Sequence, residues 1–569
     1  MKTLSPDVLL LHAPASFEFR NVKDIYYPYM STSGDVPITP LYEFFPLGFK
    51  TLKSYLEKVG HSVEIVNLAS VLLKYPQIDI SLFISRMVPR IFGIDLHWLV
   101  HVQGALEIAS IIKSIHREIP IVFGGISSTY YADQLIGYDQ IDFVMCGYDT
   151  HLPMAALLYE LKGEQRFAHV PNLVWKDSKH GPQFNTFDYN PATFSCGIDW
   201  SKQPITKKTP PKYPILEILS IQSAGCKFNC MWCGGSRDAF KRIGSSRTIS
   251  YKTKDEIAFE FNSMQDLNQH EKYHLYLCGT YNAHKSRLKY LIDIIGETRL
   301  KSINYEQFYL TPEDVMRRMV KSNPRTCITL SPESHDQRIS KLAGRGVYSM
   351  EEMEDWIKRA LDIGIYGVDV WFFIGMQEQT TKSVFKTVDY CCNLLKKFHG
   401  KNVTPLLCPM IPFLDPGSTF FEFPEKYGYT TFYRTVEDHR KGMMNASLIN
   451  RINYETQWLS REELVLVGYE AVKRLMEKKG ELGFVPRGIA SSVVSKIDDA
   501  VEFIQCVHEI DCIKDNKVRA KRLDEIGDEI LKRNNEIFFS GVSNQAFPIN
   551  RDIGGRWFDE IPYAILDDE

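Results

Sequence analysis

Gly225-Cys226-Lys227-Phe228-Asn229-Cys230-Met231-Trp232-Cys233-Gly234-Gly235 sets three cysteines within eight residues, with an aromatic side chain just before the third. Cysteine thiolates hold iron–sulfur clusters, and short loop spacings let several thiolates reach one cluster. Three ligands on a four-iron cluster leave one iron open, as a catalytic metal site keeps one position free. A structural zinc site would need a fourth ligand, and no further Cys or His follows until His270. A disulfide scaffold suits a long chain poorly when nothing in it points to an oxidising compartment. The run is read as a 4Fe-4S site with Cys226, Cys230 and Cys233 as its metal ligands.

Toward the C-terminus, strand patterns at 218–222, 274–277, 306–310, 326–330, 367–374 and 403–408 alternate with helix patterns. Six βα units in series predict a partial (β/α)6 barrel over 216–445, with its working face at the strand carboxyl ends. Cys278-Gly279-Thr280, Ser331-Pro332-Glu333-Ser334 and Gly375 stand at such ends. Leu414-Asp415-Pro416-Gly417-Ser418 then leads into an aromatic-rich stretch that reads equally as a lid or as packing. Ser460 and Glu463 make a capping-box pattern. It starts a helix over 460–479 within a mostly helical cap over 446–569, expected to cover the barrel mouth and to end in an aromatic tail with Trp557 and Phe558.

Toward the N-terminus, residues 1–165 alternate strand patterns (8–12, 62–66, 91–95, 121–123, 142–146) with helix patterns (49–59, 104–116, 153–161). This predicts an α/β domain with a doubly wound parallel sheet. Ligands of such sheets sit at strand carboxyl ends. Gly124-Gly125 and Gly147 close two strands and would admit a ligand close to the backbone, although turns between helix and strand take glycine anyway. Residues 166–215 lose periodicity, gather Pro171, Gly181-Pro182, Pro191 and Pro210-Pro211, and read as a linker with room for a hairpin near 172–177.

Length and charge set the outer bounds. A chain of 569 residues holds two or three domains. With 44% apolar residues, 24% charged residues and a net charge of −3, it offers no bulk electrostatic case for nucleic acid or an anionic membrane. The start imitates a signal peptide, but its apolar run is short and Asp7 interrupts it. No run approaches the roughly 18 apolar residues of a membrane span. The expectation is a cytoplasmic protein without nucleic-acid or membrane partners.

The order of these parts resembles the cobalamin-dependent radical S-adenosylmethionine (SAM) enzymes, whose CxxxCxΦC signature matches Cys226, Cys230, Trp232 and Cys233. The resemblance implies three cofactors: a 4Fe-4S cluster, SAM and cobalamin. It places Trp232 by the adenine, Gly279-Thr280 by the SAM amino group, Glu333 on the ribose, Arg345 on the carboxylate and Gly375 at a further strand end of the SAM site. The family's glutamate after Gly279 is missing from this sequence, where Thr280 stands instead.

For the corrin, the resemblance carries over three loops: His97-Trp98-Leu99, Gly124-Gly125-Ile126-Ser127-Ser128 and Gly147-Tyr148-Asp149. Asp95-Leu96-His97 invites comparison with the DxHxxG motif that supplies a cobalt ligand elsewhere. Val100 replaces its last glycine, however, and the triplet follows the third strand instead of the first. A solvated or corrin-packing histidine is the better sequence reading.

Within the superfamily the chain looks most like C-methyltransferases of natural-product (antibiotic) pathways, including pyrrole-methylating members. A methyl group would pass from methylcobalamin to an unactivated carbon of a small-molecule substrate, free or carrier-bound, after hydrogen abstraction by a 5′-deoxyadenosyl radical. An external donor of flavodoxin or ferredoxin type would supply electrons. No catalytic side chain beyond the cofactor ligands is called for. The rivals are a ring contraction or oxidative cyclisation using the same cofactors, and a corrinoid-binding sensor or carrier.

Overall fold

A computed structural model describes the chain apart from residues 1–2, 33–35, 39–46, 195–196, 203–215, 244–248, 266–272, 410–413, 540–564 and 566–569. Pro210-Pro211, Trp557 and Phe558 lie outside the described residues.

Every position of the strand Val8–His12 is buried, as a parallel strand covered on both faces requires. Its alternate residues feed two cores. Val8 and Leu10 pack with Leu52, Leu56 and Met154 on one face, and Leu9 and Leu11 with Ala105, Ile108 and Ile112 on the other. The sheet runs Val63–Asn67, Val8–His12, Ile91–Asp95, Ile121–Gly124, Phe143–Met145, all parallel. The chain order reverses between the first and third strands, and this switch point is where ligands of such sheets bind. The antiparallel strands Leu173–Asp177 and Gly181–Phe184 extend the far edge, so the stretch read as linker adds a hairpin to the first sheet.

The second sheet is the expected partial barrel: Leu216–Ile221, Tyr273–Cys278, Ser302–Gln307, Thr326–Glu333, Gly367–Ile374 and Val403–Pro409, parallel and in chain order. Its third strand begins at Ser302 and not at 306. The reason is a polar interior. Ser302, Asn304 and Gln307 are buried and bond His274 (2.6 Å), Thr329 (2.9 Å) and, through the Gln307 amide nitrogen, Thr280 (3.2 Å). The apolar run Phe308-Tyr309-Leu310, which mimics a strand, lies beyond its end. The correction moves Glu306 to the working end of the barrel.

Helix Arg461–Glu481 starts with the expected capping box between Ser460 and Glu463. It packs along helix Thr381–Lys397 and the sixth strand, covering the edge that an unclosed barrel leaves exposed. Helices Arg487–Asp511 and Asn516–Phe538 follow and reach back to the first domain. Asn534 accepts from the Tyr27 amide and donates to the Ile25 carbonyl, both at 2.9 Å, and the Tyr469 hydroxyl donates to the Tyr29 carbonyl at 2.7 Å. These helices therefore buttress the barrel's side and clasp the N-terminal segment; they are not a lid over the mouth.

The barrel mouth instead faces the strand ends of the first sheet. Tyr130 and Tyr131 hydroxyls cross to the Glu422 carboxylate and the Arg434 carbonyl, at 2.7 and 2.8 Å. Among the described residues no helix is long and apolar enough to cross a membrane.

Candidate active site

The cysteine loop leaves the first barrel strand through Gly225, whose φ of +77° suits glycine. Cys226 and Cys230 are buried and Cys233 half-buried, with no disulfide among them. Each sulfur faces a donor: the Phe228 amide to Cys226 (3.3 Å), Arg345 Nε to Cys230 (2.9 Å), the Gly235 amide to Cys233 (3.4 Å). Burial pushes all three thiols up, Cys230 to about 11, so a bound metal is what would hold them as thiolates at neutral pH. Among the described residues only His12, Asp95 and His97 bring three metal-capable groups within 4.8 Å of one another. The three cysteine sulfurs do not all lie that close together.

Behind this loop the turn after helix Gln337–Leu342 acts as a support. The Met231 amide donates to the Ala343 carbonyl at 3.0 Å. Gly344, at φ +91°, sits so close that a Cβ there would lie 2.3 Å from the Asn229 carbonyl oxygen. On the other side the Gly234 amide donates to Asp415 at 3.0 Å. Burial lifts the Asp415 carboxyl to about 6, against the opposing hydrogen bonds of Gly234 and the Trp98 side chain. Through Asp415, the cysteine loop and the first domain's 97–99 loop share one partner.

The expected SAM residues divide into two groups. Trp232 and Arg345 line the cavity in front of the cysteines. Trp232 packs on Phe373, with ring centroids 5.3 Å apart, and the Arg345 guanidinium lies over Phe308. Glu333 stands behind Arg345, 3.4 Å away, at φ +71°. It is fully buried, neither carboxylate oxygen accepts a hydrogen bond, and burial lifts it to about 7 against the opposing charge of Arg345. Glu333 therefore does not line the cavity, and the expected ribose contact is not in place; its carboxylate backs the Arg345 guanidinium instead.

Gly279, Thr280 and Gly375 do not line the cavity. Thr280 is buried and donates to the Glu306 carbonyl at 2.6 Å. Gly375 is hemmed by Gln379, Tyr429 and Tyr454. What sequence reasoning missed is Glu306. Its carboxylate accepts from the Gly279 amide at 3.0 Å and faces the same cavity, with Tyr281 and Phe308 beside it. An acidic group does stand at Gly279, but it comes from the neighbouring strand.

On the first domain's side, His97, Gly124, Gly125, Ile126, Gly147 and Tyr148 line the same cavity. Trp98 turns to Asp415 and Leu99 into the core. Ser127 is buried, Ser128 bonds the Gly124 carbonyl, and Asp149 accepts from His151 at 2.7 Å. The cavity measures about 620 Å³. It runs from an apolar slot between the sheet face and helices Leu47–Lys58 and His151–Lys162, walled by Leu10, Leu52, Val122 and Met154, up to the three cysteines. Gly93 keeps the slot open at its base, where a Cβ would meet Leu10 at 2.7 Å. A flat macrocycle over the strand ends with a tail in the slot is the ligand shape these walls fit.

Residues 35–157 match the family model of the B12 binding domain. No curated protein matches the sequence. Among solved structures, the radical S-adenosylmethionine methyltransferase TsrM from Kitasatospora setae, with cobalamin and a [4Fe-4S] cluster bound, is similar with a TM-score of 0.57 at 14% identity, over 90% of this chain and 100% of that one. The same enzyme with tryptophan substrate and the SAM analogue aza-SAM gives a TM-score of 0.52 at 15% identity, over 75% of this chain and 78% of that one. Across 90% of its length, then, this chain has the fold of the radical SAM methyltransferase TsrM, and residues 35–157 within that fold are a B12 binding domain.

Proposed function

We propose that this chain is a cobalamin-dependent radical SAM C-methyltransferase acting on an unactivated carbon of a small-molecule substrate, with an external electron donor and a cytoplasmic setting. The observation that carries the reading is the shared cavity: one space is walled by the switch-point loops of a B12 binding domain and by a three-cysteine loop on a partial barrel. When loaded, the cluster with SAM supplies a 5′-deoxyadenosyl radical and the corrinoid supplies a methyl group.

The chain's own part is to bind, orient and keep dry. Cys226, Cys230 and Cys233 would hold the cluster, with Arg345 beside them to receive a carboxylate in a planar fork. Glu306 would accept from the SAM ammonium group, and Glu333, 3.4 Å from Arg345, would position that guanidinium from behind. The mostly apolar wall keeps water from reactive radicals. The tryptophan in the TsrM structure supports a small-molecule substrate class.

The test is mass spectrometry of SAM products from anaerobically reconstituted protein, with and without cobalamin. Deoxyadenosine together with cobalamin-dependent S-adenosylhomocysteine supports methyl transfer. Deoxyadenosine alone moves the reading to ring contraction or cyclisation. Neither product from fully loaded protein moves it to a corrinoid sensor or carrier.

A further inference from the structure

Three histidines and one carboxylate meet at the switch point of the first sheet, where the carboxyl ends of its first and third strands lie side by side. Asp95, at the end of the third strand, is 3% exposed. It accepts from Nδ1 of His12 at 3.0 Å and from Nδ1 of His97 at 2.5 Å. His101 stacks on His97 with centroids 5.3 Å apart, and its own Nδ1 donates to the Ala13 carbonyl at 3.0 Å.

The imidazoles are not equivalent. His12 and His101 are fully buried, whereas the His97 side chain keeps 30% of its surface and lines the cavity. A carboxylate set between two imidazole Nδ1 atoms accepts from both, which directs His97 Nδ1–H to Asp95 and leaves Nε2 on the ring's other side. No hydrogen bond occupies His97 Nε2 among the described residues. The loop is held in place by Gly125, at φ +111°, where a Cβ would come within 2.7 Å of the His97 backbone. A carboxylate-oriented imidazole with its second nitrogen toward a ligand cavity is the usual arrangement of a metal-binding histidine. A divalent ion held by His12, Asp95 and His97 together would have to break both Asp95 hydrogen bonds, so the geometry favours one outward-facing ligand over a closed three-residue site.

We infer that His97 Nε2 is the protein's lower axial ligand to cobalt, with Asp95 and His12 as the positioning residues that orient it. The inference rests on the proposed corrinoid reading and deepens it. It also departs from the sequence expectation of a packing histidine: the ligand comes from the loop after the third strand, and its hydrogen-bond partner from the same strand's end. The corrinoid's own nucleotide base would then lie in the apolar slot and not on the metal.

The experiment is electron paramagnetic resonance of the full-length protein loaded with cobalamin and reduced to the cob(II) state, with histidine carrying either natural nitrogen or nitrogen-15. A ligating protein histidine splits the high-field cobalt lines into triplets, and nitrogen-15 labelling converts the triplets into doublets. Triplets that survive labelling show that the nucleotide base has stayed on cobalt and overturn the inference. Lines without nitrogen splitting overturn it too. Corrinoid content after desalting is read separately: protein that retains none takes down the corrinoid reading itself, whereas retained corrinoid with unsplit lines sinks only the His97 assignment. His97→Ala is expected to keep its corrinoid while losing the doublets. Asp95→Asn is expected to leave only part of the cobalt histidine-ligated, a partial loss that a merely packing Asp95 would not produce.

Discussion

With both oxygens of Glu333 sealed from water and paired with nothing but an ion-pair contact to Arg345, the ligand-free protein carries a carboxyl lifted from 4.5 to about 7. The sign follows from linkage. The folded state holds the proton more tightly than the unfolded chain, so stability is fully present below pH 4.5 and is lost as pH rises through the window to 7. The loss is about 1.4 kcal/mol per pH unit. Glu333→Gln should therefore unfold at higher urea than the native apo-protein at pH 8 and show almost no gain at pH 5. Equal gains at both values would rule out titration as the cause. Glu306→Gln should weaken SAM binding about tenfold or more, the scale of a lost charge-assisted hydrogen bond, while leaving iron content unchanged; isothermal titration against iron analysis separates the two. The cysteines were legible because their spacing alone encodes a shared ligand. Glu306 and His12 were not. Glu306 sits on a strand whose buried polar residues hide its period, and His12 meets Asp95 only because the first strand lies beside the third.

At the level of elements, most boundaries could be read within a few residues, since apolar periodicity and caps such as Ser460 write them locally. What could not be read was how one element props another. The turn that carries Arg345 also supports the cysteine loop, since Gly344 lies against the backbone of Asn229 and Cys230. Gly344→Ala combines a left-handed φ with a backbone collision, so the cysteine loop must shift. The variant should fold, keep its cobalamin and lose most of its cluster, visible as a drop in absorbance near the iron–sulfur band and in iron per chain. Full iron occupancy would show that the loop has slack. The placement of the C-terminal helices was also beyond the sequence. An amphipathic face states that a helix is covered on one side but not by what; here it is the exposed edge of the sixth strand and helix Thr381–Lys397.

On the scale of the molecule, the two sheets present their strand ends to one cavity, and hydrogen bonds from the last described helix to residues 25–27 fix that approach. Asn534 is fully buried and serves two backbone groups at once. Asn534→Ala leaves an amide and a carbonyl without partners, a cost of about 1–3 kcal/mol. Amides of residues 25–29 should exchange with deuterium about ten to a hundred times faster, while the core strand Val8–His12 stays protected. Unchanged exchange would mean that the clasp carries no strain. The same clasp has a consequence for synthesis on the ribosome. The first sheet is complete once Gly181–Phe184 has emerged, but its bracing partner, Asn516–Phe538, is made long afterwards. Domains fold in order as they emerge. Until the barrel strands Leu216–Ile221 to Val403–Pro409 have followed, the strand ends carrying Asp95, His97 and Gly125 have no barrel opposite them. The order of synthesis thus leaves the first sheet's strand ends open before the barrel is made, and the Asn534 clasp is the last of these contacts to form.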